Sequence, residues 1–250
     1  MIVFLTSSPC SNDVPAGVDL PCIFDRSNGF VRRLRRHFRP GSQMLIIASD
    51  PENYDGNDEM AKTFFGCMQH HQLFLSDLAL LDARNAEDAS QLVAQSDIIL
   101  LSGGHVPTEN AFFHEIHLRE LLEGYEGIVI GISAGTMNCA DVVYAQPELE
   151  GESIDPEYER FIEGLGLTDI NVLPHYQQVK DYTLDGRRLY EDITFEDSMG
   201  HTFYALVDGS YVFIDENGRA EIFGEAYVIR DGVMKPYCIR GGHRPVKPGR

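Results

Sequence analysis

The sequence predicts an α/β fold in three layers: a mainly parallel sheet, helices on both faces, and an antiparallel C-terminal extension. Two observations carry that prediction. Through the first two thirds of the chain, short apolar runs alternate with stretches of helical periodicity, as in a parallel sheet wound by crossover helices. Past about residue 203, apolar runs are separated instead by Asp208-Gly209, Glu216-Asn217-Gly218 and Asp231-Gly232, which read as hairpin turns.

In chain order, residues 2–5 form a buried strand. Residues 28–38 form a helix with Phe30, Val31, Leu34 and Phe38 on one stripe and Arg32, Arg33, Arg35, Arg36 and Arg39 around it. Residues 44–48 are the next strand. Residues 58–70 are helical, with Met60, Phe64 and Met68 at four-residue steps. Strand material in 73–81 and a short helix in 86–95 lead to a strand at 97–101. Pro107-Thr108-Glu109 starts a helix carrying Phe112, Phe113 and Ile116. Residues 127–131 form the last strand of the parallel part. The apolar runs 203–207, 210–214, 220–223 and 226–229 extend the same sheet. With no linker and no repeat, the chain reads as one domain over residues 1–250, with a Gly-, Pro- and Arg-rich tail from about 240 that is loosely ordered.

The composition narrows the function. The 250 residues carry 39 acidic and 20 basic side chains, a net charge of −19. That charge opposes nucleic acid, whose binding rests on cations neutralising phosphates, and it opposes an anionic membrane surface. No apolar run approaches the roughly 18 residues a membrane span needs. The first residues lack the basic region of a signal peptide, so a cytoplasmic protein is expected. Five cysteines (Cys10, Cys22, Cys67, Cys139 and Cys238) form no CxxC, suggesting neither a zinc ribbon nor a disulfide framework. No metal site is expected. His114 and His117 read as a solvated helix face because no third ligand accompanies them. Residues 9–25 have no evident place.

The strongest chemical signal is Gly131-Ile132-Ser133-Ala134-Gly135, directly after a strand and before a helical segment. A sharp strand-to-helix turn lifts a serine hydroxyl clear of the sheet, and glycines on either side allow close backbone approach. A serine needs a base. His175 is the best candidate, just past a short strand and Pro174, at the sheet edge where ligands bind in open α/β folds. A carboxylate should orient the imidazole. Glu148, Glu150 and Glu152 lie between serine and histidine, with Asp141 nearer the serine. The paired glycines of Ser102-Gly103-Gly104, with the N–H of Ala134, supply donors for an oxyanion.

These residues, together with Glu163-Gly164-Leu165-Gly166-Leu167 and Leu173-Pro174-His175-Tyr176, resemble the dipeptidase E and cyanophycinase group of serine peptidases, family S51. The resemblance runs from about residue 44 to 232. It implies a class I glutamine-amidotransferase-like (flavodoxin-like) fold with serine in place of the usual cysteine. It implies Ser133 as nucleophile, His175 as base, Gly104 and Ala134 as oxyanion donors, and Glu148 or Glu150 as the acid. It also implies hydrolysis of short peptides at aspartyl bonds, α- or β-linked, by a monomer or homodimer, with no cofactor. An aspartyl substrate would then call for a cation facing Ser133, with Arg119, Lys180, Arg187 and Arg188 as candidates; a basic partner residue, as in β-Asp-Arg, would suit an acidic rim instead.

Two other readings compete. An α/β-hydrolase esterase shares the serine turn but places its histidine near the C-terminus, making His243 the base with Asp215 or Asp231. A non-catalytic member of the same fold would bind a small ligand without hydrolysing it.

Overall fold

The computed structural model describes residues 1–246. In chain order it begins with β1 (Ile2–Thr6), a small hairpin of β2 (Cys10–Ser11) and β3 (Ile23–Phe24), and α1 (Phe30–His37). Then come β4 (Gln43–Ile47), α2 (Tyr54–His70), β5 (Asp77–Leu81), α3 (Ala89–Gln95), β6 (Ile98–Leu101), α4 (Val106–Glu115) and β7 (Ile128–Ile132). β5, β4, β6, β7 and β1 are parallel neighbours in that order. Beyond β1 the sheet continues antiparallel through Tyr211–Ile214, Ala220–Phe223 and His243–Pro245.

Alternation along the strands explains the layers. Val3, Leu5, Leu45, Ile47, Ile99, Leu101 and Val129 face one way and pack with Val93 of α3 and Phe112 and Phe113 of α4. Phe4, Met44, Ile46, Leu100 and Ile130 face the other way, onto Phe30 and Leu34 of α1 and Phe64 and Met68 of α2. The aromatic stripe predicted for 28–38 is therefore core, Phe30 meeting Phe4 edge-on at 5.4 Å between ring centroids. The arginines around it are not all solvated. Arg33 lies over the Phe223 ring at 3.9 Å, and Arg35 donates to the His71 carbonyl at 2.7 Å. α2 begins at Tyr54, earlier than its apolar stripe suggests, because the Asn53 side chain caps it by accepting from the Gly56 N–H.

The hairpin-rich region divides between two sheets rather than extending one. Thr202–Leu206 pairs in parallel with Asn171–Leu173 and antiparallel with Ala226–Arg230, which continues to Val233–Cys238. The Asp208-Gly209 turn is bound to the end of β1 instead of closing a hairpin: the Gly209 N–H donates to the Ser8 carbonyl at 2.8 Å and the Ser7 N–H to the Ser210 carbonyl at 3.2 Å. Asp208 is thereby carried to the end of β1. Within the tail, His243–Pro245 forms an edge strand; residues 247–250 lie outside the described residues. No helix among the described residues is long and apolar enough to cross a membrane.

Candidate active site

The turn after β7 shows why the sequence around Ser133 takes the form it does. Ser133 has φ 51° and ψ −113°, a strained conformation for a residue with a side chain, of the kind that costs about 1–3 kcal/mol. Close packing holds it there. A Cβ on Gly131 would meet the Thr136 Cα at 2.7 Å, and one on Gly135 would meet the Leu101 and Ser102 carbonyl oxygens at 2.5 and 2.6 Å. The Ser133 N–H donates to the Thr6 and Ser7 carbonyls, and Thr136 Oγ1 donates to the Thr6 carbonyl at 2.8 Å. Both neighbours of β7 therefore fix the turn, and the helix Ala134–Met137 starts directly behind the serine.

His175 follows Asn171–Leu173 and Pro174, with a left-handed backbone at φ 56°. Its Nε2 lies 2.9 Å from Ser133 Oγ, and its Nδ1 lies 2.8 Å from Asp208 Oδ1. An ionised carboxylate only accepts, so Nδ1 carries the proton and Nε2 is free to accept from the serine hydroxyl. Asp208 is itself held firmly. Ser7 Oγ donates to Oδ1 at 2.7 Å while accepting from the His175 N–H at 2.7 Å. Gln177 and Gln178 each donate to Oδ2 at 2.6 Å. Burial opposes the Asp208 charge, but the hydrogen bonds from His175, Ser7 and Gln177 outweigh it and hold the carboxyl below its ordinary value.

The carboxylate beside His175 is thus Asp208, not Glu148 or Glu150. Glu150 is exposed on its loop. Glu148 accepts from the Val106 N–H at 3.4 Å, and its carboxyl, partly withdrawn from water at the edge of the cavity, is pushed above its ordinary value. Glu152 instead meets His105 Nε2 at 2.7 Å. Asp141 pairs with Arg119 at 2.6 Å. Sequence reasoning missed Asp208 because its one local signal, an aspartate before a glycine, reads as a turn. His243 does not reach the serine; it pairs with Glu221 at 2.6 Å on the outer strand of the sheet.

Gly104, Ala134, Ser133, His175 and Glu148 share a cavity of about 210 Å³ at the carboxyl ends of β6 and β7. As the first residue of its helix, Ala134 has an N–H with no partner inside that helix. Gly104 is required by close packing, since a Cβ there would meet Ser49 Oγ at 2.5 Å. The remaining lining is largely apolar, including Val106, Met137, Val179 and Leu189, and among the described residues it contains no lysine or arginine. The four cations considered from sequence are engaged elsewhere: Arg119 with Asp141 and Glu163, Lys180 with Asp181, Arg187 with Glu196 and Arg188 with Asp192. The arrangement is suited to acyl transfer, with a hydroxyl nucleophile, a base in the correct tautomer and main-chain donors beside it.

A family model described as peptidase family S51 matches residues 48–222. Among solved structures, the chain is similar to a peptidase from an acI-B1 Actinobacterium, with a TM-score of 0.63 and 15% identity over 98% of this chain and 96% of that one. It is also similar to a putative peptidase E protein from Listeria monocytogenes EGD-e, with a TM-score of 0.56 and 16% identity over 94% of this chain and 98% of that one. At these identities the likeness to both structures is one of fold. No sequence among curated proteins matches.

Proposed function

The chain belongs to peptidase family S51, and on that premise we propose that it hydrolyses short aspartyl peptides through Ser133, His175 and Asp208. The observation that carries the reading is the unbroken chain of hydrogen bonds from Ser133 Oγ through the imidazole to Asp208. In this reading Ser133 Oγ attacks the scissile carbonyl as its proton passes to His175 Nε2. The imidazolium is stabilised by Asp208 and returns the proton to the leaving amine. Water then cleaves the acyl-enzyme by the same relay. The N–H groups of Gly104 and Ala134 receive the tetrahedral oxyanion, a role typically worth about 3 kcal/mol per donor.

The cavity favours one substrate branch. At about 210 Å³ it is small, which suits a dipeptide better than a folded chain. Glu148 sits at its edge and no cation among the described residues lines it, so an unpaired substrate carboxylate is disfavoured there while a basic side chain is attracted. The preferred substrate is therefore an aspartyl dipeptide with a basic partner residue, of the β-Asp-Arg type.

Two measurements test the two halves separately. A fluorophosphonate probe is expected to label Ser133 in the folded protein, and to fail on Ser133→Ala and His175→Ala; absence of labelling overturns the triad. A panel of α-Asp-X, β-Asp-Arg, β-Asp-Leu and neutral dipeptides is expected to give the highest kcat/KM for β-Asp-Arg. Preference for α-Asp-X would overturn the substrate assignment and leave the triad standing.

A further inference from the structure

Folding brings together three cysteines that are far apart in sequence. Cys10 lies on β2, Cys22 directly precedes β3, and Cys67 lies on the buried face of α2. Their Sγ atoms lie within 4.8 Å of one another. Cys67 is fully buried, while Cys10 and Cys22 are only half-buried, so the cluster opens towards solvent on one side. Among the described residues the group contains sulfur alone, with no carboxylate or imidazole at the same range.

The surroundings hold the thiols in place. The β2–β3 hairpin pairs Cys10 with Phe24 and Ser11 with Ile23. The Asp25 N–H donates to the Pro9 carbonyl at 2.8 Å, closing the segment at its base. Cys67 Sγ contacts the Cys22 carbonyl at 3.3 Å, and Leu20 seats so closely on α2 that a Cβ on Gly66 would meet its Cδ2 at 2.4 Å. One helical turn past Cys67, the Arg35 guanidinium donates to the His71 carbonyl.

We propose that Cys10, Cys22 and Cys67 form a binding site for a thiophilic d10 cation, Zn²⁺ in the first instance, coordinated through three sulfurs. Soft sulfur donors select such ions over Mg²⁺ or Ca²⁺, which take oxygen. A Zn–S bond of about 2.3 Å puts tetrahedral sulfurs about 3.8 Å apart, so closure from the observed triangle needs about 1 Å at most. A disulfide would use two sulfurs and leave the third without a role; a metal uses all three. Each metal–sulfur bond replaces an S–H bond whose proton leaves to solvent, and three thiolates around Zn²⁺ leave the centre at −1 (+2 − 3), with the fourth position open to water. Bound metal would clamp residues 9–25 onto α2. That segment starts two residues after Ser7, which holds Asp208 and His175.

The test uses the full-length protein, reduced and freed of metal, titrated with Co²⁺ without oxygen. One equivalent is expected to produce sulfur-to-cobalt charge-transfer absorption with the strong visible bands of a four-coordinate ion, and Zn²⁺ to bleach both. Cys10→Ser and Cys67→Ser are expected to abolish the absorption; Cys139→Ser and Cys238→Ser are expected to retain it. Cys67 is buried and its replacement can disturb α2, so Cys10→Ser, on the surface hairpin and checked for an unchanged circular dichroism spectrum, is the deciding variant. Absence of the absorption in the wild-type protein, or its survival in Cys10→Ser, overturns the proposal.

Discussion

His175 Nδ1 lies 2.8 Å from Asp208 Oδ1, and that carboxylate receives three further side-chain hydrogen bonds, from Ser7, Gln177 and Gln178. The imidazole is thereby locked in the tautomer that leaves Nε2 free for Ser133. Asp208→Asn keeps the shape but offers an amide that can donate to Nδ1, which reverses the tautomer. The expected cost is about 10⁴-fold in kcat, as for this change in other serine triads. Glu148→Gln is expected to retain kcat on a neutral dipeptide. Steady-state kinetics on both variants check the pair, and the opposite ranking would assign the acid's role to Glu148.

Ser7 acts on the site through its neighbours. Its hydroxyl accepts from the His175 N–H and donates to Asp208, so it fixes the spacing between base and acid. Ser7→Ala removes a hydrogen bond to a charged group, worth about 1.5–3 kcal/mol. The expected result is a fall in kcat of about 10- to 100-fold with KM unchanged, because Ser7 does not line the substrate cavity. A matching rise in KM would instead place its effect on substrate binding.

The charge at the cavity edge should show in substrate choice. Glu148 is exposed as a residue, so its attraction for a basic side chain is modest, about 1 kcal/mol at most. Glu148→Gln is therefore expected to lower kcat/KM for β-Asp-Arg about fivefold and leave β-Asp-Leu within twofold. Equal losses on both substrates would show that the carboxylate serves the chemistry or the fold rather than recognition.

What could be read from sequence follows the range of the interactions involved. The Ser133 turn was legible because strand, glycines and helix lie within a few residues, and the glycine requirement is enforced by backbone close by in space. His175 was legible as a histidine beyond a strand end. Asp208 was not: it lies 33 residues past His175, and its neighbour Gly209 made it look like one more hairpin turn. Placing it required knowing that Thr202–Leu206 and Tyr211–Ile214 belong to different sheets, which pairing partners decide and local pattern does not. The three thiols were hidden for the same reason, since one comes from α2 and the others from a hairpin that carries little secondary-structure signal of its own.

Gly135 should tolerate no side chain. Its α-carbon faces the carbonyls of Leu101 and Ser102, and these are backbone atoms that cannot swing aside. Gly135→Ala is expected to destabilise the protein by about 1–3 kcal/mol, the usual cost of overpacking. It should also move the turn that aims Ser133. Urea unfolding measures the first effect, and the rate of fluorophosphonate labelling, at a urea concentration where both proteins are folded, measures the second. Wild-type stability in the variant would contradict the close approach.

Glu109 gives a prediction in pH. It is fully buried on α4, with Asn138 Nδ2 donating to Oε2 at 2.9 Å and Oε1 without a partner among the described residues. Burial pushes its carboxyl well above the ordinary glutamate value, and the Asn138 hydrogen bond offsets this only in part. The folded state therefore favours the neutral acid, whereas the unfolded chain gives up the proton near the ordinary value of 4.5. Stability from this group is complete below that value and falls as pH rises, until the folded carboxyl also ionises. Glu109→Gln keeps an oxygen for Asn138 and has no proton to lose. The stability difference between variant and wild type, from urea unfolding at intervals between pH 4 and pH 8, is expected to shift steadily in favour of Glu109→Gln as pH rises. Taking the difference cancels the titration of every other group, so a flat difference would mean that Glu109 ionises in the folded protein as it does in water.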